Sequence, residues 1–121
     1  MRKTITIGEK ALDFEATLGT SELYQIFTGE NLFETLASFR GTKATDGAAF
    51  KIVDVYKKMM FVMNVQATEN SPKEMRAKMN IDSYLDWLFQ FSNDDITPDV
   101  TSQIAELWSA SKKTHSQAKN P

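Results

Sequence analysis

Gly47-Ala48-Ala49-Phe50-Lys51-Ile52-Val53-Asp54-Val55-Tyr56-Lys57-Lys58-Met59-Met60-Phe61-Val62-Met63-Asn64-Val65-Gln66 is the stretch that decides the fold. Ala49, Ile52, Val53, Tyr56, Met59, Met60 and Met63 recur at intervals of three and four, the period of one helix face. Val55, Phe61, Val62 and Val65 widen that face until little polar surface is left. A helix apolar on most sides belongs in the middle of its neighbours, so this segment is expected to be the central core helix, with Asp46 as its candidate cap.

Toward the N-terminus the pattern passes through the loop Gly41-Thr42-Lys43-Ala44-Thr45 into two shorter helices. Thr20 or Ser21 is a candidate cap for the first, which carries Leu23, Tyr24, Ile26 and Phe27 and stops at Gly29. Asn31, with Glu34 three residues on, opens the second, which carries Leu32, Phe33, Leu36 and Phe39 and closes at Gly41. Before them the period switches from 3.6 to 2. Thr4-Ile5-Thr6-Ile7 alternates, and Leu12, Phe14 and Ala16 alternate with Asp13 and Glu15, which predicts a β-hairpin over residues 3–17. The connection Gly8-Glu9-Lys10 favours a bulged three-residue turn. An isolated hairpin is marginal in water, so Ile5, Ile7, Leu12 and Phe14 must lie on helices or on the sheet of a second chain. Both outcomes bear on oligomerisation, and with exposed strand edges they make these four residues candidates for hairpin association.

Toward the C-terminus, Ser71-Pro72-Lys73-Glu74 is a strong start signal: the serine caps, and the proline occupies the first helical position, where no N–H is required. Met75 and Met79 are its expected buried side. Asp82 or Ser83 is a candidate cap for the next helix, with Tyr84, Leu85, Trp87, Leu88 and Phe91. Thr97-Pro98 opens the last, with Val100, Ile104, Leu107 and Trp108. Its periodicity ends near Ser111, and residues 112–121 are expected to be a disordered polar tail. The reading is α+β, predominantly α: an N-terminal β-hairpin and a bundle of about five helices, with a helical body over residues 20–111, all in a single domain of residues 1–111.

The chain has no cysteine and one histidine, His115, in the polar tail, so the usual nucleophiles, general bases and soft metal ligands are missing. Binding is expected, not catalysis, with no cofactor and no metal. A net charge of -2 argues against nucleic acid as the main partner. A helix-turn-helix reading around Asn80 to Ser83 fails because Tyr84-Leu85-Asp86-Trp87-Leu88-Phe89, an apolar and acidic set, offers neither phosphate neutralisation nor base-edge donors. No stretch reaches the roughly 20 apolar residues of a membrane span, and Gly8 interrupts any signal-peptide core, so the expected location is cytoplasmic. Asn93-Asp94-Asp95 with Asp99 lacks the spacing of a calcium loop, and Asp82 with Asp86 reads as cap plus surface charge. Met59, Met60 and Met63 fit a core by their spacing, and they also fit an adaptable binding surface; Trp87 and Phe91 carry the same two readings. These five are the candidate protein-interaction residues.

The order of Lys3-Thr4-Ile5-Thr6-Ile7-Gly8, a second strand, a helical body, Tyr84-Leu85-Asp86-Trp87-Leu88, Ala105-Glu106-Leu107-Trp108-Ser109 and a Lys/Thr/Ser tail resembles the tail assembly chaperones of long-tailed phages of Gram-positive bacteria. The resemblance covers nearly the whole chain and rests on layout. It implies a protein of the host cytoplasm that binds the tape measure protein, keeps it soluble, and is absent from the mature virion. It also implies a homo-oligomer, and a longer frameshifted form that recruits tail tube protein, for which Lys112-Lys113 marks a candidate slippery site. The family has no catalytic residues. A rival expectation is a phage structural adaptor such as a head-to-tail completion protein, which would stay in the particle. A second rival, an enzyme using carboxylates and tyrosines alone, would require a buried acidic pair in a closed pocket.

Overall fold

A computed structural model describes residues 1–40 and 46–118 of the chain. Strands β1 (Arg2–Ile7) and β2 (Lys10–Glu15) pair antiparallel, with Ile5 opposite Leu12 and Ile7 opposite Lys10. The turn is therefore the two residues Gly8-Glu9, not the three-residue bulge expected. Gly8 has φ 62°, and no described non-glycine residue has positive φ, which is the type II′ arrangement whose twist matches that of the strands. A Cβ on Gly8 would meet the carboxylate of Asp95 at 2.7 Å, so the close approach as well as the backbone angle demands glycine.

The alternation places Ile5, Ile7 and Phe14 inward and fully buried, with Leu12 half-buried. The chain's own helices cover this face: β2 lies on α3 (Asp46–Thr68), and β1 on α6 (Pro98–Ala118). Ile5, Ile7 and Phe14 are therefore core residues and not an association surface. Any pairing between chains is left to the outer edge of β1, because on the outer edge of β2 the Asp13 carbonyl already accepts from Asn64 Nδ2.

Helix α1 (Leu18–Thr28) begins earlier than expected. Its cap is Thr17, whose Oγ1 accepts from the Gly19 N–H at 3.1 Å, while Thr20 Oγ1 accepts from the Thr17 N–H at 2.9 Å. Gly29 stops it in the left-handed region, at φ 78°, as read from the sequence. Asn31 caps α2 (Leu32–Ala37) through the Glu34 N–H at 3.0 Å. Beyond Ala37 the chain tightens into turns that bring Phe39 onto the core. The expected stop at Gly41 and the loop through Thr45 lie outside the described residues.

Ser71 caps α4 (Pro72–Ala77) through the Glu74 N–H at 3.2 Å, and the Glu74 carboxylate accepts from the Asn70 N–H at 3.2 Å. Helix α5 (Ile81–Leu88) is capped by Asn80, through the Ser83 N–H at 2.8 Å, and not by Asp82 or Ser83. A 3₁₀ turn, Asn93–Asp95, leads to α6, capped by Thr97 through the Val100 N–H at 3.2 Å. Helix α6 runs to Ala118, seven residues past its expected end, so most of the segment expected to be disordered is helical. Ala110, Lys112, Lys113, Gln117 and Ala118 are good helix formers, and no glycine or proline interrupts them. The described residues thus form a hairpin and six α-helices.

The centre is α3. Its residues 59–66 are all buried, two turns of helix with no face to solvent, as the apolar stretch implies. Two of the eight are polar and fully engaged. Asn64 Nδ2 donates to the Asp13 carbonyl at 2.9 Å, and its Oδ1 accepts from Trp87 Nε1 at 3.0 Å. Gln66 Oε1 accepts from Thr20 Oγ1 at 2.6 Å, and its Nε2 donates to Thr17 Oγ1 at 2.9 Å. One helix thereby fixes β2, α5 and the start of α1.

Candidate functional site

The candidate interaction residues do not share a surface. Met59, Met60 and Met63 are fully buried on α3. Trp87 points inward from α5, its ring edge-on to Phe61 at 5.9 Å and its N–H held by Asn64. Phe91 is half-buried against Trp87, ring centroids 5.0 Å apart. The core reading prevails because α3 is enclosed on all sides where its methionines fall.

The same geometry turns a different set of side chains outward. Ile81, Leu85 and Phe89, at i, i+4 and i+8, form one stripe along α5; they are 59%, 37% and 78% exposed. The helix is thus apolar on two faces, since Tyr84, Trp87 and Leu88 pack inward. The sequence pattern groups Leu85 with the inward set, takes Phe89 only as part of an apolar and acidic run, and leaves Ile81 out. The offset of four between Ile81, Leu85 and Phe89 was the available signal.

Asp82 and Asp86 are exposed beside the stripe. Next to Asp86 opens a cleft of about 190 Å³ between α3, α4 and α5, with Glu69 and Lys78 among its lining residues. Along the sequence, residues 79–111 hold six acidic residues and no lysine or arginine, leaving 14 basic and ten acidic residues elsewhere in the chain, and from the hairpin the Lys10 ammonium donates to Gln90 at 3.2 Å. Other exposed apolar side chains are differently placed. Phe33 rests on Trp108, ring centroids 5.3 Å apart, with the Lys112 ammonium 6.0 Å from the Phe33 ring centre and 5.9 Å from that of Trp108. Phe50 and Val53 lie three apart on the N-terminal half of α3, with Lys57 on the same face by helical spacing.

For chemistry, the described residues offer little. The buried polar side chains among them are Thr20, Asn64 and Gln66, and no group of three or more histidine or acidic side chains converges as a metal site would need. Burial pushes the Tyr24 hydroxyl up to about 12, with Glu30 and Asp54 adding to the rise, and burial raises Tyr56 as well. Tyr84 is raised by burial, then by Asp54 and Tyr24, and its hydroxyl is buried with no hydrogen-bond partner. These tyrosines stay neutral at ordinary pH and are poor bases. No described helix is long and apolar enough to cross a membrane.

No family model matches the chain, and no curated protein or solved structure is similar to it. Three large apolar side chains in a row on α5, rimmed by charge, have the form of a helix-packing ridge left without a partner.

Proposed function

We propose that this protein is a tail assembly chaperone of a long-tailed phage or prophage of Gram-positive bacteria. In this reading it acts in the host cytoplasm, holds the tape measure protein soluble while the tail is built, and is absent from the finished virion. A frameshifted longer form recruits tail tube protein, and copies of the chain associate through the edge of the hairpin.

The observation that carries the reading is the stripe Ile81, Leu85 and Phe89, an apolar ridge long enough for a helical client and not absorbed by the core. The resemblance in layout from Lys3 to the Lys/Thr/Ser tail supports the choice of family. Met59, Met60 and Met63 are left out of the contact, because reaching them would require opening the centre of the fold.

Co-expression with the tape measure protein tests the proposal. The wild-type chain should raise the soluble yield of that protein and co-purify with it, and the Leu85→Ser/Phe89→Ser variant should do neither. Unchanged yield with the wild-type chain rejects the assignment, and recovery of the protein from purified virions favours a structural adaptor instead.

A further inference from the structure

We propose that the α5 stripe receives an amphipathic helix whose apolar ridge packs on Ile81, Leu85 and Phe89 and whose flank carries lysine or arginine opposite Asp82 and Asp86. The inference rests on the stripe being the client-binding face and adds the chemistry of the client segment.

The shape of the partner follows from the ridge. From Ile81 to Phe89 the helix rises about 12 Å, two turns and a little more. A single row of side chains at i, i+4 and i+8 fits the groove of another helix far better than it fits an extended strand, because the carbonyls and N–H groups of α5 are already paired within the helix. Among the described residues both strand edges lie elsewhere, on the hairpin.

The charge of the partner follows from the surroundings. Asp82 and Asp86 stand on one side of the stripe by helical spacing, and both are exposed. The adjoining cleft is lined by Glu69 and Asp86 and by one cation, Lys78, so its charged lining is acidic on balance. The nearest cation that the structure ties to the far end of the stripe is the Lys10 ammonium, which donates to Gln90 Oε1 at 3.2 Å, beyond Phe89 and away from Asp82 in the first turn of the helix. Two copies of α5 facing one another would set acid against acid. An anionic membrane surface has the wrong sign. A helix with basic residues beside its apolar ridge meets both the ridge and the two exposed carboxylates of Asp82 and Asp86, whose charge also speeds its approach.

The full-length protein can be titrated with three fluorescent peptides of about 18 residues that share one leucine ridge and differ only in flank: lysine, glutamine or glutamate. The lysine peptide should bind at least about tenfold more tightly than the glutamate peptide, and the preference should shrink at about 0.5 M salt. Asp82→Asn/Asp86→Asn should remove the preference while leaving the glutamine peptide bound. Leu85→Ser/Phe89→Ser should abolish binding of all three, with circular dichroism confirming that the exposed substitutions leave the fold intact. Equal binding of lysine and glutamate peptides overturns the charge inference and leaves the client-binding reading standing. If no peptide binds yet the tape measure protein is still solubilised by the double serine variant, the stripe is not the contact. If the stripe is occupied by the Phe50, Val53 and Lys57 face of a second copy, wild-type protein will be an oligomer that Leu85→Ser/Phe89→Ser dissociates, which also overturns the inference.

Discussion

Asn64 is the residue on which β2, α3 and α5 meet, and its amide is used at both ends. Asn64→Ala leaves the Trp87 N–H and the Asp13 carbonyl without their partner and opens a small void, so unfolding by urea should show a loss of about 2–4 kcal/mol. Tyr84 is the opposite case. Its buried hydroxyl has no partner, so Tyr84→Phe removes a polar group that gains nothing from folding. The tyrosines also set an alkaline limit. Tyr24 and Tyr84 have folded values raised above the ordinary 10.0, so the folded state keeps protons that the unfolded chain releases. The stability they contribute is complete below about pH 10 and is lost as pH rises through the folded value of Tyr24 near 12. Denaturant midpoints measured at rising pH should be level to about pH 10 and then fall, with the fall reduced in Tyr84→Phe.

At the scale of elements, α5 divides into a face that folds and a face that does not. Trp87→Ala should cost about 3–5 kcal/mol, whereas Leu85→Ser/Phe89→Ser should change stability by less than about 1 kcal/mol; thermal and denaturant unfolding of the two variants measures the contrast. How much of this was legible depended on whether local chemistry and burial agreed. The caps at Asn31, Ser71 and Thr97 were readable because each is followed by an acidic residue at the third position or by proline, features that act within four residues. Thr17 and Asn80 were missed for one shared reason: the residues after them, Leu18 and Ile81, are apolar yet exposed, so the inward pattern begins later than the helix. The hairpin was readable from its alternation, but its turn length was not, since Lys10 suits a loop and an open strand edge equally. The helical course of α6 beyond Ser111 lay hidden because propensity, and not an apolar face, sustains it. The outward stripe was hidden because an apolar residue says nothing by itself of the side it occupies.

At the scale of the molecule, self-association is expected to depend on the hairpin's β1 edge and not on its apolar face, which the chain covers itself. Light scattering should therefore find species larger than a monomer in the wild-type protein. Thr4→Pro/Thr6→Pro, which withdraws two backbone donors of β1, should reduce them, and a strict monomer at high wild-type concentration would remove this expectation.

The eight-residue buried run of α3 has a further consequence, in hydrogen exchange. With no side open to water, the amides of Met60 to Gln66 have no small fluctuation through which to meet solvent, and they should exchange only when the whole structure opens. Their protection then measures the global free energy of unfolding directly under native conditions. A client that binds the folded chain should slow all of them by one common factor, however far its contact lies from α3.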